Sequence, residues 1–415
     1  MRTRRGDADR LLQAAAPVAL FFVVVATHCM GVITSYDSVW SIPIARSLLR
    51  EGNTDLDEYP AQLAANRFYA IELIDGHYYS IFPIGPSLVA LPVVYALDAA
   101  GVVLADGKIE RVTASIVVGL TAVLLYLLAR RSLGAPGSLL VALIFAFCTA
   151  AWSTATRALW QHGPSMLMLT LGLWIVILAR DRPRLVQLAA LPLAFSYVIR
   201  PTNAIAIVIM SAVVWLEHRR YFLHYLLWAV VVAAPLVWFN WAVYHSALSP
   251  YYLASRIGHG GHFAEASLGT LASPGRGLFV FSPILLLSVY GMWLTCRRGV
   301  LDRALAAIVL LHWIALSSFP HWWGGHSFGP RLLSDVVPYL IYFLIPVVAR
   351  ITRLSGARRT VWVTAFACLV AISFLVNFRG ATARAVYRWN AEPVDIDVQP
   401  GRIWDWRDLQ FLRRQ

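Results

Sequence analysis

Asp37 stands where an apolar stretch over 11–34 gives way to SYDSVWSIPIARSLLREGNTDLDEYP. A carboxylate at a water–lipid boundary can take a proton from an attacking hydroxyl or hold a divalent cation. Three more acids follow at Asp55, Asp57 and Glu58, and these read as a solvated loop. Further on, RALWQHGPS (157–165) carries Arg157 and His162 between two apolar runs. Charge near membrane depth is costly and usually faces a cavity. His162 is suited to carry a proton or ligate a metal, and Arg157 to pair with phosphate. Arg200 and Asn203 lie in IRPTN, between short apolar runs at 185–199 and 201–216. A buried carboxylate or a lipid phosphate would suit that arginine.

The densest patch is SSFPHWWGGHSFGPRLLSD (317–335), with Trp322, Trp323, His321, His326, Arg331 and Asp335. Indole faces stack on sugar rings, glycines allow close backbone approach, and arginine clamps phosphate. Tyr78 and Tyr79, in DGHYYSIFPIGPS, fit an interfacial aromatic belt by default and a substrate-binding surface otherwise. A weaker metal signal comes from Arg256, His259 and His262 in SRIGHGGHF.

The elements that must position these residues are membrane helices. Of 415 residues, 59% are hydrophobic and 14% charged, against about 25% charged in soluble domains. The mean hydropathy is +0.63. Apolar segments fall at 11–34, 83–105, 112–129, 138–156, 163–179, 185–199, 201–216, 221–243, 277–295, 304–319, 336–349 and 360–378. About 20 apolar residues cross a hydrocarbon core, so the chain is an all-α polytopic membrane protein of about 11–12 segments. Soluble enzymes, disordered chains and disulfide scaffolds are excluded.

The net charge of +13 fits arginine clusters at cytoplasmic helix ends better than nucleic-acid binding. From Arg130 onward these clusters alternate with arginine-poor connections. That places the amino terminus, read as an anchor helix, in the cytoplasm and the candidate residues on the outer face. The parity needs one segment that does not cross cleanly, and proline-rich 83–105 is the candidate. The four cysteines show neither metal spacing nor paired loop positions. Trp40, Ile44 and Leu48 predict a short amphipathic helix on the membrane surface, capped by Ser41. The expected division is a membrane domain over 1–378, carrying the outer loop 35–82, and a short outer tail over 379–415.

Five patches together resemble bacterial glycosyltransferases of the GT-C superfamily, in particular relatives of protein O-mannosyltransferases and lipid A aminoarabinose transferases. They are the early Asp with ARSLLREGN, GHYYSIFPIGPS, LWQHGPS, IRPTN and WWGGHSFGPRLL. The resemblance implies a polyprenyl-phosphate-linked sugar as donor, a lipid, glycan or protein as acceptor, and a site on the outer face of a bacterial cytoplasmic membrane. It implies that Asp37 is the general base or helps bind a divalent cation such as Mg or Mn, with His162 the other metal candidate. Two positions depart from the family pattern. His162 stands where many relatives have a second carboxylate, and Phe82-Pro83 where aminoarabinose transferases have Lys-Pro. A transporter or flippase of a lipid-linked sugar would share the arginines and broken helices, but no internal repeat is visible; in a structural subunit without chemistry of its own, Asp37 would be only a helix-start residue.

Overall fold

The computed structural model describes residues 2–31, 36–67, 69–253 and 262–414, with side chains from residue 15 onward. The described residues are 71% helical. In chain order come α1 (Arg2–Cys29), α2 (Ser41–Arg50), α3 (Pro60–Ala65), β1 (Ile71–Ile74), β2 (His77–Ser80) and α4 (Gly85–Ala99). Next are α5 (Asp106–Arg130), α6 (Ala135–Phe147), α7 (His162–Leu178), α8 (Ala190–Ile199), α9 (Ala204–Glu217) and α10 (Phe222–Tyr244). The remainder are α11 (Phe263–Ala272), α12 (Leu278–Phe281), α13 (Leu286–Thr295), α14 (Val300–Ser317), α15 (Val337–Ile351), α16 (Gly356–Thr382) and α17 (Ala385–Arg388).

Among the described residues, five helices are long and apolar enough to cross a bilayer: Asp106–Arg130, Arg219–Tyr244, Val300–Ser317, Arg331–Ile351 and Gly356–Thr382. In α10, Leu223, Leu227, Val230, Val231 and Trp238 all point outward. An outward apolar band of this kind suits lipid, and the chain is a polytopic membrane protein.

The chain forms two compact units. One comprises Ile33–Ala114 and Ala158–Gly258, and is called here the Asp37 unit. The other comprises Met1–Val32, Ser115–Arg157 and His259–Gln415, and is called the Arg276 unit.

In the Asp37 unit, α2 forms where the apolar stripe predicts a helix, but two of its faces are buried rather than one. Ile42 and Ala45 join Ala90 and Val94 of α4, Ile109 and Ala114 of α5, and Leu159. Trp40 and Ile44 pack instead with Leu56, Leu63 and the hairpin residues Ile71 and Tyr78. Ser41 is the first helical residue, and Trp40, with no side-chain cap, precedes it. Where the aromatic belt was expected, β1 and β2 pair antiparallel with Leu73 opposite Tyr78 and Glu72 opposite Tyr79. Asp75 and Gly76 turn the hairpin with φ of 53° and 89°, the positive pair that a two-residue turn needs to match strand twist. The short apolar runs on either side of IRPTN form α8 and α9, with an elbow between them. Arg200 is extended, with φ −156° and ψ 124°, because the ring of Pro201 excludes the helical region for the residue before it.

In the Arg276 unit, the apolar run 277–295 is broken at Ser282-Pro283 into α12 and α13. A break in a membrane helix frees backbone groups that need partners. Side chains of α16 supply them: Asn377 Nδ2 donates to the Phe281 carbonyl at 2.9 Å, and Ser373 Oγ accepts from the Ile284 N–H at 3.0 Å. The tail is built into this unit's core. Trp389, Ile396 and Ile403 are fully buried with Ala266 and Trp322.

Candidate functional site

Asp37 lies in a turn just ahead of α2 and is partly exposed. The Tyr69 hydroxyl donates to its Oδ1 at 2.9 Å. The next residue, Ser38, is 3% exposed and donates from Oγ to Oε2 of Glu110 at 2.5 Å. Behind this turn, Arg46 pairs with Asp106 at 2.5 Å and Arg50 with Asp98 at 2.9 Å, so both arginines of α2 are neutralised within the unit. Ahead of it, Tyr78 packs against the Trp40 cluster. Tyr79 lines a cleft with Phe82, Asn240, Tyr244 and Tyr252.

Residues 158–165 and the IRPTN patch meet inside the same unit. Arg200 Nη1 lies 2.8 Å from Nδ1 and 3.1 Å from Nε2 of His162, and its Nε donates to Thr202 Oγ1 at 2.9 Å. Asn203 Nδ2 donates to Ser165 Oγ at 2.5 Å and to the Ser196 carbonyl at 2.8 Å. These bonds tie the start of α7 to the elbow between α8 and α9. Arg200 is 8% exposed, His162 2% and Asn203 1%. The described residues offer metal-capable groups of three only at Asp55, Asp57, His77 and at His326, Asp395, Asp397. Neither contains Asp37 or His162.

The WWGGHSFGPR patch lies in the Arg276 unit. Trp322 is 4% exposed and packs with Ala266 and Trp389, which corrects the expectation that its face is open to a sugar. Trp323 is half-buried, and its indole N–H donates to Asp397 at 2.6 Å. His326 lies 2.9 Å from Asp395. Partial burial pushes the Asp395 carboxyl up, but the His326 and Asp397 amide contacts outweigh it and hold the group below its ordinary value. Arg331 lines a small hollow with Arg276, Trp322 and Trp323. Gly324 and Gly325 have φ of 72° and 61°, a consecutive left-handed pair that favours glycine.

No protein-family model matches the chain, and no curated protein matches it in sequence. Solved structures do match. ArnT from Cupriavidus metallidurans bound to undecaprenyl phosphate has a TM-score of 0.58 at 15% identity, covering 92% of this chain and 69% of that one. The Archaeoglobus fulgidus oligosaccharyltransferase in its apo form has a TM-score of 0.51 at 10% identity, covering 97% of this chain and 60% of that one. The chain has a GT-C fold. It spans about two thirds of the ArnT chain and less than two thirds of the oligosaccharyltransferase chain.

Of the residues expected to form a site, this GT-C fold gathers Asp37, Tyr78, Tyr79, His162, Arg200 and Asn203 in one unit and Arg157, Trp322, Trp323, His326 and Arg331 in the other. The Arg157 side chain is fully buried, and it donates to the carbonyls of Ala381 and His28. Arg256 and His259 lie outside the described residues. His262 is exposed and lies 3.6 Å from Glu265.

Two structurally central residues escaped the sequence reading. Arg276 is 1% exposed and donates to the carbonyls of Trp323, Gly325 and Gly275 and to the side chains of Asn390 and Gln410, at 2.7–3.1 Å. It thereby holds the Trp-Trp-Gly-Gly loop to the tail. Its SPGRG context resembles an ordinary loop. Glu110, 5% exposed, is the other, and its place near the start of an apolar helix resembles a routine helix-start charge.

Proposed function

We propose that this GT-C chain is a membrane glycosyltransferase that moves a sugar from a polyprenyl-phosphate donor to a lipid, glycan or protein acceptor. The observation that carries the reading is Asp37: a partly exposed carboxylate oriented by Tyr69 and anchored through Ser38, in a chain with a GT-C fold. Support for the donor class comes from structural neighbours solved with undecaprenyl phosphate and with dolichol-phosphate.

In the proposed reaction, the Asp37 carboxylate takes the proton of the acceptor hydroxyl. The oxygen forms a new bond to the anomeric carbon as the carbon–oxygen bond to phosphate breaks. The electron pair leaves with the lipid phosphate, and the sugar inverts. Arg200, already oriented by His162 and Thr202, is the proposed stabiliser of the departing charge in the Asp37 unit. In the same unit, Tyr78, Tyr79 and Asn203 are proposed to shape or contact substrate. Within the Arg276 unit, Trp323, His326 and Arg331 form a separate set of candidate substrate contacts. The proposed setting is a bacterial cytoplasmic membrane with the site facing outward.

The test is a reconstitution with polyprenyl-phosphate sugars labelled separately in sugar and lipid. Transferase activity separates the two labels and moves the sugar label to an acceptor. Both labels crossing the bilayer together, with the bond intact, would replace this reading with a flippase.

A further inference from the structure

Glu110 is a buried acid on the first turns of α5, away from the motifs that suggest chemistry. One oxygen, Oε2, accepts two hydrogen bonds: from Ser38 Oγ at 2.5 Å and from the Leu159 backbone N–H at 3.1 Å. Ser38 follows Asp37 directly, and the Ser38 carbonyl accepts from the Ser41 N–H at 2.9 Å as α2 begins. Leu159 lies three positions before His162 and is itself fully buried among Ile42, Ala45 and Ile109. A carboxylate buried to this extent costs heavily unless donors surround it. Here the donors come from the Asp37 turn and the segment leading into the His162–Arg200 pair.

We infer that Glu110 is a positioning residue for the transfer reaction: a clamp that fixes the Asp37 turn against the 158–162 segment. The inference rests on the proposed role of Asp37. It differs from simple fold support, because loosening the clamp displaces the base without removing it. A displacement of about 1 Å at a reacting group costs about a hundredfold in rate.

Because both donors converge on one oxygen, glutamine can keep both bonds with its amide oxygen, whereas alanine keeps neither. The experiment compares Glu110→Gln, Glu110→Ala and Ser38→Ala, reconstituted with polyprenyl-phosphate hexoses and pentoses, beside Asp37→Asn. The expected result is that Glu110→Ala and Ser38→Ala lose at least about tenfold in kcat with KM for the donor little changed. Glu110→Gln is expected to recover most of kcat and to keep the acidic limb of the pH–rate profile. If Glu110→Ala fails to fold, Ser38→Ala carries the test alone. Unchanged kcat in Ser38→Ala, or a lost acidic limb in Glu110→Gln, would overturn the positioning role. An active Asp37→Asn would instead overturn the proposed function.

Discussion

The guanidinium of Arg200 rests against the imidazole of His162, 2.8 and 3.1 Å from its two ring nitrogens, across 38 positions of sequence. An arginine N–H only donates, so the imidazole nitrogen it reaches is an acceptor. The pair therefore presents one oriented positive group. Lysine at this position keeps the charge and loses the fork that reaches His162 and Thr202 together. Arg200→Lys is expected to lower kcat/KM for the lipid-linked donor by about tenfold, equivalent to one charged hydrogen bond of about 1.5 kcal/mol. Steady-state kinetics on proteoliposomes reads this directly, and an unaltered kcat/KM would remove Arg200 from the reaction.

Arg157 is expected to behave as a strut. Replacing it with methionine leaves the Ala381 and His28 carbonyls without their charged donor, at a cost of about 2–3 kcal/mol. The measurement is the melting temperature in detergent. Gly31→Ala is expected to act in the same direction, since a Cβ at Gly31 would overlap the buried Arg157 guanidinium. A fully stable Arg157→Met variant that lost donor affinity would support the phosphate role.

Arg276→Lys should uncouple the tail from the tryptophan loop. A lysine ammonium has three donors, fewer than the five acceptors that Arg276 reaches. The expected outcome is early proteolytic cleavage within 384–414, with a destabilisation of at least about 2 kcal/mol. Mass spectrometry of limited digests would show it. Cleavage no faster than in the wild type would mean that the buried tryptophans suffice without the arginine.

The hairpin carries a pH-sensitive anchor. His77 Nδ1 lies 2.6 Å from Asp57. The Asp57 hydrogen bond and charge raise the His77 pKa above 6.5. The Tyr78 amide, with help from His77, lowers that of Asp57 below 3.8. The imidazolium contribution is complete below pH 6.5 and fades as pH rises through the raised His77 value. The carboxylate contribution is complete above pH 3.8 and fades as pH falls through the lowered Asp57 value. Both are present together between those limits. An NMR titration should find His77 above its ordinary midpoint in the wild type and near it in Asp57→Asn. Equal midpoints would dissolve the pair.

The long elements were legible because apolar runs of membrane length leave the chain few alternatives to helix. The elbow at Arg200 was equally readable, since Pro201 dictates the conformation before it. What escaped was long-range pairing. Arg276 meets partners 47 to 134 positions away, and Glu110 meets Ser38 across 72. Neither relation leaves a local pattern. Trp322 and Trp323 are adjacent and chemically identical, yet packing buries the first and leaves the second half-exposed. The hairpin did carry a signal, the Asp75-Gly76 pair between short β-prone runs, but the neighbouring tyrosines drew it toward an aromatic belt.

The central claim is that Asp37 is the base in sugar transfer from a polyprenyl phosphate. Its most direct test is the single-turnover rate of Asp37→Asn against the wild type in proteoliposomes, with donor binding measured in parallel. The account predicts a rate lower by about 10²–10⁴ with donor affinity preserved. Transfer by Asp37→Asn at the wild-type rate would contradict it.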